Sequence, residues 1–323
     1  MTATSIQHVR RQASALVALL VACSTLAACG GGSSPPKEEQ PILTEKSVVK
    51  VWKDYDKLNN AALIKAGPPT YDASAFAVVD TGPLLEQDIT SVKLDRIDRE
   101  SRSNSFTNTP STLYAPVETA GFALSTLVLP KYKAWEDLTS IVRTGDPATW
   151  KQEMSIDVRV KDLPRPLDPG RESTASRADV ERAREVVMRI SEYWRTLRKP
   201  PGIALGVATS PEYVKITVKS RSGKFTGTSK IVVEGIPKTR GAGEALRVVR
   251  TQGGLLVLAN VRLRNTLKTR GKTVLTHGGT LGKLYGTRPG KTSTLHWSST
   301  LAISVPEKGS PRVVGASYVP MVK

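Results

Sequence analysis

The sequence predicts an α+β protein of two domains, each a long N-terminal helix packed on a curved antiparallel sheet. Three observations carry this. Two stretches, beginning near residues 44 and 176, place apolar residues at spacings of three and four. Each is followed by segments in which apolar and polar residues alternate, the period of a half-buried strand. Between them residues 163–170 read Leu-Pro-Arg-Pro-Leu-Asp-Pro-Gly, too rich in proline to continue either element, and so mark a domain boundary. Helices first and antiparallel strands afterwards put the helices on one face of a sheet.

The N-terminal domain is expected over residues 42–163. Thr44 suits the cap of a helix whose apolar face is Val48, Val51, Trp52, Tyr55, Leu58 and Ala62. Asn59 lies beside that face, where it either opens into a pocket or satisfies a buried backbone group. Gly67-Pro68-Pro69 stops the helix. A short helix fits residues 72–79. Thr81-Gly82-Pro83 turns the chain, and Leu84, Leu85, Ile89 and Val92 suggest a third helical piece. Strands follow at 112–114, 121–129, 139–143 and 150–160. In the last, Ile156, Val158 and Val160 alternate with Asp157 and Arg159.

The C-terminal domain is expected over residues 171–323. Its helix runs from about Ser176 to Arg198, with Val180, Ala183, Val187, Ile190, Trp194 and Leu197 on one face. After Pro200-Pro201-Gly202 the chain is mostly strand. Val214, Ile216 and Val218 alternate with Lys215, Thr217 and Lys219, and further strands fit 245–250, 255–268, 292–305 and 312–319. Gly253-Gly254 and Lys308-Gly309-Ser310 are hairpin turns.

Ahead of the body stand His8, Arg10 and Arg11, an apolar run over 13–25, and Leu26-Ala27-Ala28-Cys29. A charged start, a short apolar run and a small-residue cut site read as an export signal over residues 1–28. The run is shorter than the roughly 20 residues a permanent span needs. The Leu-Ala-Ala-Cys ending resembles the lipobox of bacterial lipoproteins. That resemblance implies cleavage before Cys29, a lipid on its sulfur and a place on the outer face of the cell membrane. Gly, Ser and Pro after Cys29 make residues 29–41 a tether, with an rms span of about 20 Å over 12 flexible residues. The helix-then-sheet order of the body resembles nuclear-transport-factor-like cones, in which a curved sheet wraps a long N-terminal helix. Asn59-Asn60-x-Ala62 followed by Thr81-Gly82-Pro83-Leu84 is similar to uncharacterised lipoproteins of high-GC Gram-positive bacteria. Neither resemblance implies a reaction or a cofactor.

The chain has two cysteines, Cys23 and Cys29. The first leaves with the signal and the second takes the lipid, so the body relies on packing rather than disulfides. Apart from the signal, the histidines are His277 and His296, neither with a second ligand at metal spacing, and no metal centre is expected. His296 alternates with Leu295 and Trp297 and is expected to face solvent. Two glycine-rich stretches, 278–283 and 286–292, mimic phosphate loops, but the second has three residues between its glycines where a Walker loop has four, and both read as turns. Ser47-Val48-Val49-Lys50 fits Ser-x-x-Lys, yet Ser-Asp-Asn and Lys-Thr-Gly are missing from the sequence.

The strongest signal is charge. Residues 201–323 hold 20 basic and four acidic residues. Within them Arg262, Arg264, Lys268, Arg270 and Lys272 recur at even positions, so one strand would carry all five on one face, with Val261, Leu263 and Leu267 turned to the core. Lys215 and Lys219 repeat the pattern in an earlier strand. A stripe of this kind suits an anionic lipid or cell-wall polymer; the bland alternative is a solvated sheet face. Nucleic acid is not expected, because stacking aromatics are missing from the stripe. The sequence therefore points to a membrane-anchored binding protein without a catalytic set, using its basic C-terminal sheet. The alternatives are a carrier with an apolar ligand inside a cone, and an enzyme built on a pocket with Asp54, Tyr55 and Asn59.

Overall fold

The computed structural model describes residues 43–101, 105–114, 121–145, 149–167, 173–206 and 227–322. Helix α1 (Glu45–Ala66) starts with a capping box: the Ser47 amide donates to Thr44 Oγ1 at 3.2 Å, and the Thr44 amide to Ser47 Oγ at 2.6 Å. Of the expected face Val48, Trp52, Tyr55 and Ala62 are buried and Val51 is half-buried, but Leu58 is 46% exposed, and Asn59 and Ala66 are buried instead. A 3-10 turn over Ala73–Val78 follows, capped by Asp72. Helix α2 (Gly82–Asp98) begins at a glycine with φ +53°, where a Cβ would lie 2.4 Å from Thr239 Oγ1, so the position needs glycine for both conformation and space. Apolar side chains are spread round α2 rather than gathered on one face.

Strands β1 (Pro110–Tyr114), β2 (Phe122–Val128), β3 (Trp135–Thr144) and β4 (Thr149–Arg159) form a four-stranded antiparallel meander in chain order. Helix α3 (Arg177–Thr196) is capped by Ser176 and Asp179. Strand β5 (Gly227–Gly235) precedes a short ladder of β6 (Lys238–Thr239) and β7 (Gly243–Glu244). Then come β8 (Leu246–Thr251), the long β9 (Gly254–Thr269), a short helix α4 (Gly279–Tyr285), β10 (Thr292–Pro306) and β11 (Arg312–Met321). The second sheet has five strands: β11, β10 and β9 lie side by side, and the far edge of β9 is shared, β8 pairing with its first half and β5 with its second. The glycine stretch 278–283, expected as a turn, instead opens α4; the 286–292 stretch lies outside helix and leads into β10, with Gly290 bridging to Leu275.

Where the two sheets overlap each is buried on both faces, which is why their strands read as apolar runs as much as alternations. Ala123, Leu127 and Ile141 of the first sheet pack on α1 and the 3-10 turn. Leu124, Leu138, Met154, Ile156 and Val158 turn the other way and meet Val249, Leu256, Leu258, Ala302 and Val314 of the second sheet. Leu255, Val257, Val261, Leu263 and Leu267 then face Val187, Ile190 and Trp194 of α3. The order through the molecule is helix, sheet, sheet, helix. The sheets meet closely: a Cβ on Gly315 of β11 would be 2.9 Å from Val158 Cγ1.

The described part of the proline-rich segment lies along this junction. Tyr114 Oη donates to the Pro164 carbonyl at 2.9 Å, the Gln252 amide donates to the Arg165 carbonyl at 2.9 Å, and Pro166 bridges to Thr251. Helix α2 spans the junction elsewhere. Glu86 pairs with Arg262, Gln87 Nε2 donates to Ser298 Oγ at 3.2 Å, and Asp98 pairs with Lys283 of α4 at 2.5 Å. Among the described residues no helix is long and apolar enough to cross a membrane.

Candidate functional site: a cationic, threonine-rich sheet face

The even-numbered side chains of β9 pass from core to solvent along one strand. Leu256 and Leu258 are covered by the first sheet. Asn260 is fully buried and its amide donates to Ser298 Oγ and Thr300 Oγ1, at 2.9 and 3.0 Å. Arg262 follows with its side chain 21% exposed, held by Glu86. From Arg264 onward neither the first sheet nor α2 covers the face, and Arg264 and Lys268 are exposed. The structure thus corrects the expectation of five equivalent, solvent-facing cations. Arg262 is half-buried and neutralised by α2, and Arg264 pairs with Glu234 at 3.1 Å. The strand ends at Thr269, so Arg270 and Lys272 sit in the exposed turn after it. Lys291 fixes that turn by donating to the Gly271 and Thr273 carbonyls at 2.6 and 2.9 Å. Lys215, Lys219 and Cys29 lie outside the described residues.

Cross-strand register extends the exposed end of the stripe into a surface. Lys268 stands between Thr228 of β5 and Thr292 of β10; Thr266 between Lys230 and Thr294; Arg264 between Val232 and His296. Directly paired residues of antiparallel strands share a face, about 4.5–5.5 Å apart, and rows two residues apart are about 7 Å along the strand. Lys230 and Lys268 therefore sit among the hydroxyls of Thr228, Thr266, Thr292 and Thr294. Among the described residues no acid pairs with Lys230, Lys268, Arg270 or Lys272. Lys230 was missed in the sequence because Ile231, Val232 and Val233 are apolar in succession and hide the alternation of β5, Val232 lying on the same face as Thr228 and Lys230. His296 is half-buried on this same face, opposite Arg264, rather than fully solvent-facing.

The structure does not bring the Asp54, Tyr55 and Asn59 trio together. Asp54 is exposed on the outer side of α1, whereas Tyr55 and Asn59 are buried. Tyr55 stacks edge-on against Trp52 and donates to Asp80 Oδ1 at 2.9 Å. Asp80, 2% exposed, also shares a hydrogen bond with Asp88 of α2. Burial first, and the neighbouring Asp88 charge second, hold the Asp80 carboxyl well above the ordinary carboxylate range. Burial likewise pushes the Tyr55 hydroxyl up. This is a packed joint between α1 and α2 that favours the neutral form of Asp80, and the sequence offered no signal for Asp80 and Asp88 as a pair. Asn60 of the Asn59-Asn60 element acts as a structural tie, because its side chain exchanges two hydrogen bonds with the Phe106 backbone, at 3.2 and 3.0 Å.

Two further features stand apart from this face. His277 Nε2 lies 2.7 Å from Ser293 Oγ, and burial lowers the imidazole pKa, favouring the neutral ring. A surface cleft of about 420 Å³ at the start of α3 is lined by Asp179, Arg182, Arg250, Thr251, Leu255 and Glu307. Its Arg250 is already committed to Asp179 at 2.9 and 2.7 Å, and Asp179 to the α3 cap. No group of three metal-ligating side chains occurs among the described residues.

Over residues 39–322 the chain matches a family described as a domain of unknown function (DUF8094), and it belongs to that family. No curated protein matches it.

Proposed function

We propose that this is a binding protein held at the outer face of the cell membrane by a lipid on Cys29, and that the exposed end of its second sheet takes an anionic envelope component. The observation that carries the proposal is the juxtaposition of Lys230, Arg264 and Lys268 with four threonine hydroxyls on one flat face, continued by Arg270 and Lys272. Cations supply attraction to phosphate or carboxylate groups, and the hydroxyls between them supply hydrogen bonds that a plain lysine cluster lacks. Among the described residues of these rows the one aliphatic side chain, Val232, is half-buried, which suits a hydrated anionic polymer or lipid headgroups.

We also infer that residues 42–163 and 171–323 are two like-built units, each a long helix on a sheet, as in the cone-shaped domains the sequence resembles. The seating of α1 and α3 on opposite outer faces supports this, and the core between the sheets joins the two.

The test replaces Lys230, Arg264 and Lys268 by Gln in a chain of residues 30–323, which holds every described element. Each cation near an anionic surface contributes about 1 kcal/mol, roughly fivefold in affinity. The triple variant should therefore bind purified wall polymer or anionic vesicles about a hundredfold less tightly at low salt, and raised salt should weaken the wild type. Loss on the polymer alone would identify it as the ligand, and loss on vesicles alone the headgroups. Unchanged binding to both would refute the proposal.

A further inference from the structure

We propose that the β2–β3 end of the first sheet docks on an anionic lipid surface, inserting Tyr132 and its apolar neighbours at the headgroup level. Two turns in succession build this tip: the Tyr132 amide donates to the Leu129 carbonyl and the Trp135 amide to the Tyr132 carbonyl, both at 2.8 Å. They project Tyr132, 48% exposed. Val128 precedes the turn and is 42% exposed; the end of β4 comes alongside, its Val160 amide donating to the Ala134 carbonyl at 3.2 Å, and Val160 is 43% exposed. Trp135, half-buried, pairs across the sheet with Arg159, whose guanidinium lies 5.0 Å from the ring centroid. Single exposed apolar side chains are ordinary on a protein surface. Here an aromatic and two aliphatic ones share one strand end with Lys131, Lys133, Arg159 and Lys161.

That mixture matches a membrane interface. Tyrosine and tryptophan favour the headgroup level, where the ring is in an apolar layer and the polar atom is wet. Lysines beside them are drawn to anionic lipid. Four acids stand near this end: Asp162 is taken by Arg312 at 3.2 Å, Asp137 is buried, and Glu136 and Asp157 are half-buried, so the side chains that reach furthest into solvent here are Lys131, Lys133, Arg159 and Lys161. On the cationic face of the second sheet Val232 is half-buried, and threonine hydroxyls rather than exposed apolar side chains stand between the cations, so the two surfaces suit different contacts.

The expected anchor permits this contact. Helix α1 runs toward the tip, since Trp52 reaches Ser125 while Asp56 reaches Asn108, next to the residue that pairs with Val128. The start of α1 is thus on the order of 30 Å from the tip, from helix and strand rises. Residues 30–42 extend to about 45 Å, enough for a lipid on Cys29 and the tip to share one bilayer.

Residues 30–323 contain no cysteine, so a Tyr132→Cys variant of that chain takes one environment-sensitive fluorophore. With vesicles of phosphatidylcholine containing 30% phosphatidylglycerol, on the order of a natural anionic surface, the label should shift to the blue and brighten several-fold. With phosphatidylcholine alone it should not. A label at Thr273→Cys, beside the cationic face, should stay in water. Without label, Tyr132→Ser combined with Val160→Ser should lower vesicle affinity at least tenfold while leaving binding to purified wall polymer unchanged, which separates the tip from the sheet face. The inference is overturned if the body does not bind the vesicles, if it binds with the Tyr132→Cys label still in water or the Thr273→Cys label responding instead, or if the double serine variant binds vesicles as tightly as the wild type.

Discussion

Glu153→Gln should destabilise both halves of the molecule together. Glu153 of β4 is fully buried and faces Arg247 of β8, whose side chain is 7% exposed. The pair is bidentate, Nη2 to Oε1 at 2.6 Å and Nε to Oε2 at 2.8 Å. Arg247 also donates to the Glu244 and Ala242 carbonyls at 2.9 and 3.0 Å and lies 5.4 Å from the Phe122 ring centroid. Removing the charge of Glu153 leaves a guanidinium buried without its counter-ion, which costs about 3–5 kcal/mol. For a body of this size each kcal/mol lowers Tm by about 2 °C, so the loss should be about 6–10 °C. Glu153→Leu with Arg247→Met removes both charges, and buried pairs exchanged for apolar groups are often close to neutral. Three carbonyls, those of Ala242, Glu244 and Leu246, would then lose the guanidinium as donor, at about 1 kcal/mol each, so the double variant should be less destabilised than the single. Calorimetry, with near- and far-ultraviolet circular dichroism on the same samples, reads this out. Because the pair joins the two sheets across a shared core, a single transition should move as a whole. A Glu153→Gln variant melting within about 1 °C of wild type, against the expected cost, would refute the assignment. So would a double variant worse than the single, or a shift confined to one of two transitions.

Other outcomes are expected elsewhere. Asp80 keeps a proton in the folded chain that the unfolded chain releases near pH 4; stability should therefore fall as pH rises from there through the raised folded pKa. Asp80→Asn should flatten the fall in Tm as pH rises above the ordinary carboxylate range, and an unchanged slope would show that other groups cause it. Gly82→Ala forces an L side chain into φ +53° and onto Thr239, and should lower stability by about 1–3 kcal/mol; a urea midpoint equal to wild type would contradict the close approach. Cys29→Ala should abolish lipidation and shift the protein out of the acylated membrane fraction, and equal retention through the same N-terminal adduct in both forms would refute the anchor.

Local periodicity made much of this fold legible. The spacing of Val48, Trp52, Tyr55 and Ala62, and of Ala183, Val187, Ile190 and Trp194, identified α1 and α3 with their buried faces, and the cap at Thr44 stood in the sequence. The alternation around Leu263 and Leu267 placed β9 and its core side. Such patterns show which side of an element avoids water, because side chains three or four apart on a helix, or two apart on a strand, share a face. They do not show what covers that side. Leu124 and Leu127 stand three apart in one strand on opposite faces, one against the second sheet and one against α1, and only the fold reveals both layers. Helix α2 was legible from Leu84, Leu85, Ile89 and Val92, but not its neighbours, since it touches both sheets and α4 at once. The cationic stripe was legible as residues and spacing. Its division was not: Arg262 and Lys268 stand at equivalent positions of one strand face, and Arg262 lies at a half-covered site beside Glu86, distant in sequence, while Lys268 remains in water. The charge of a side chain is local information, whereas the partner that neutralises it is set by which elements the folded chain brings alongside.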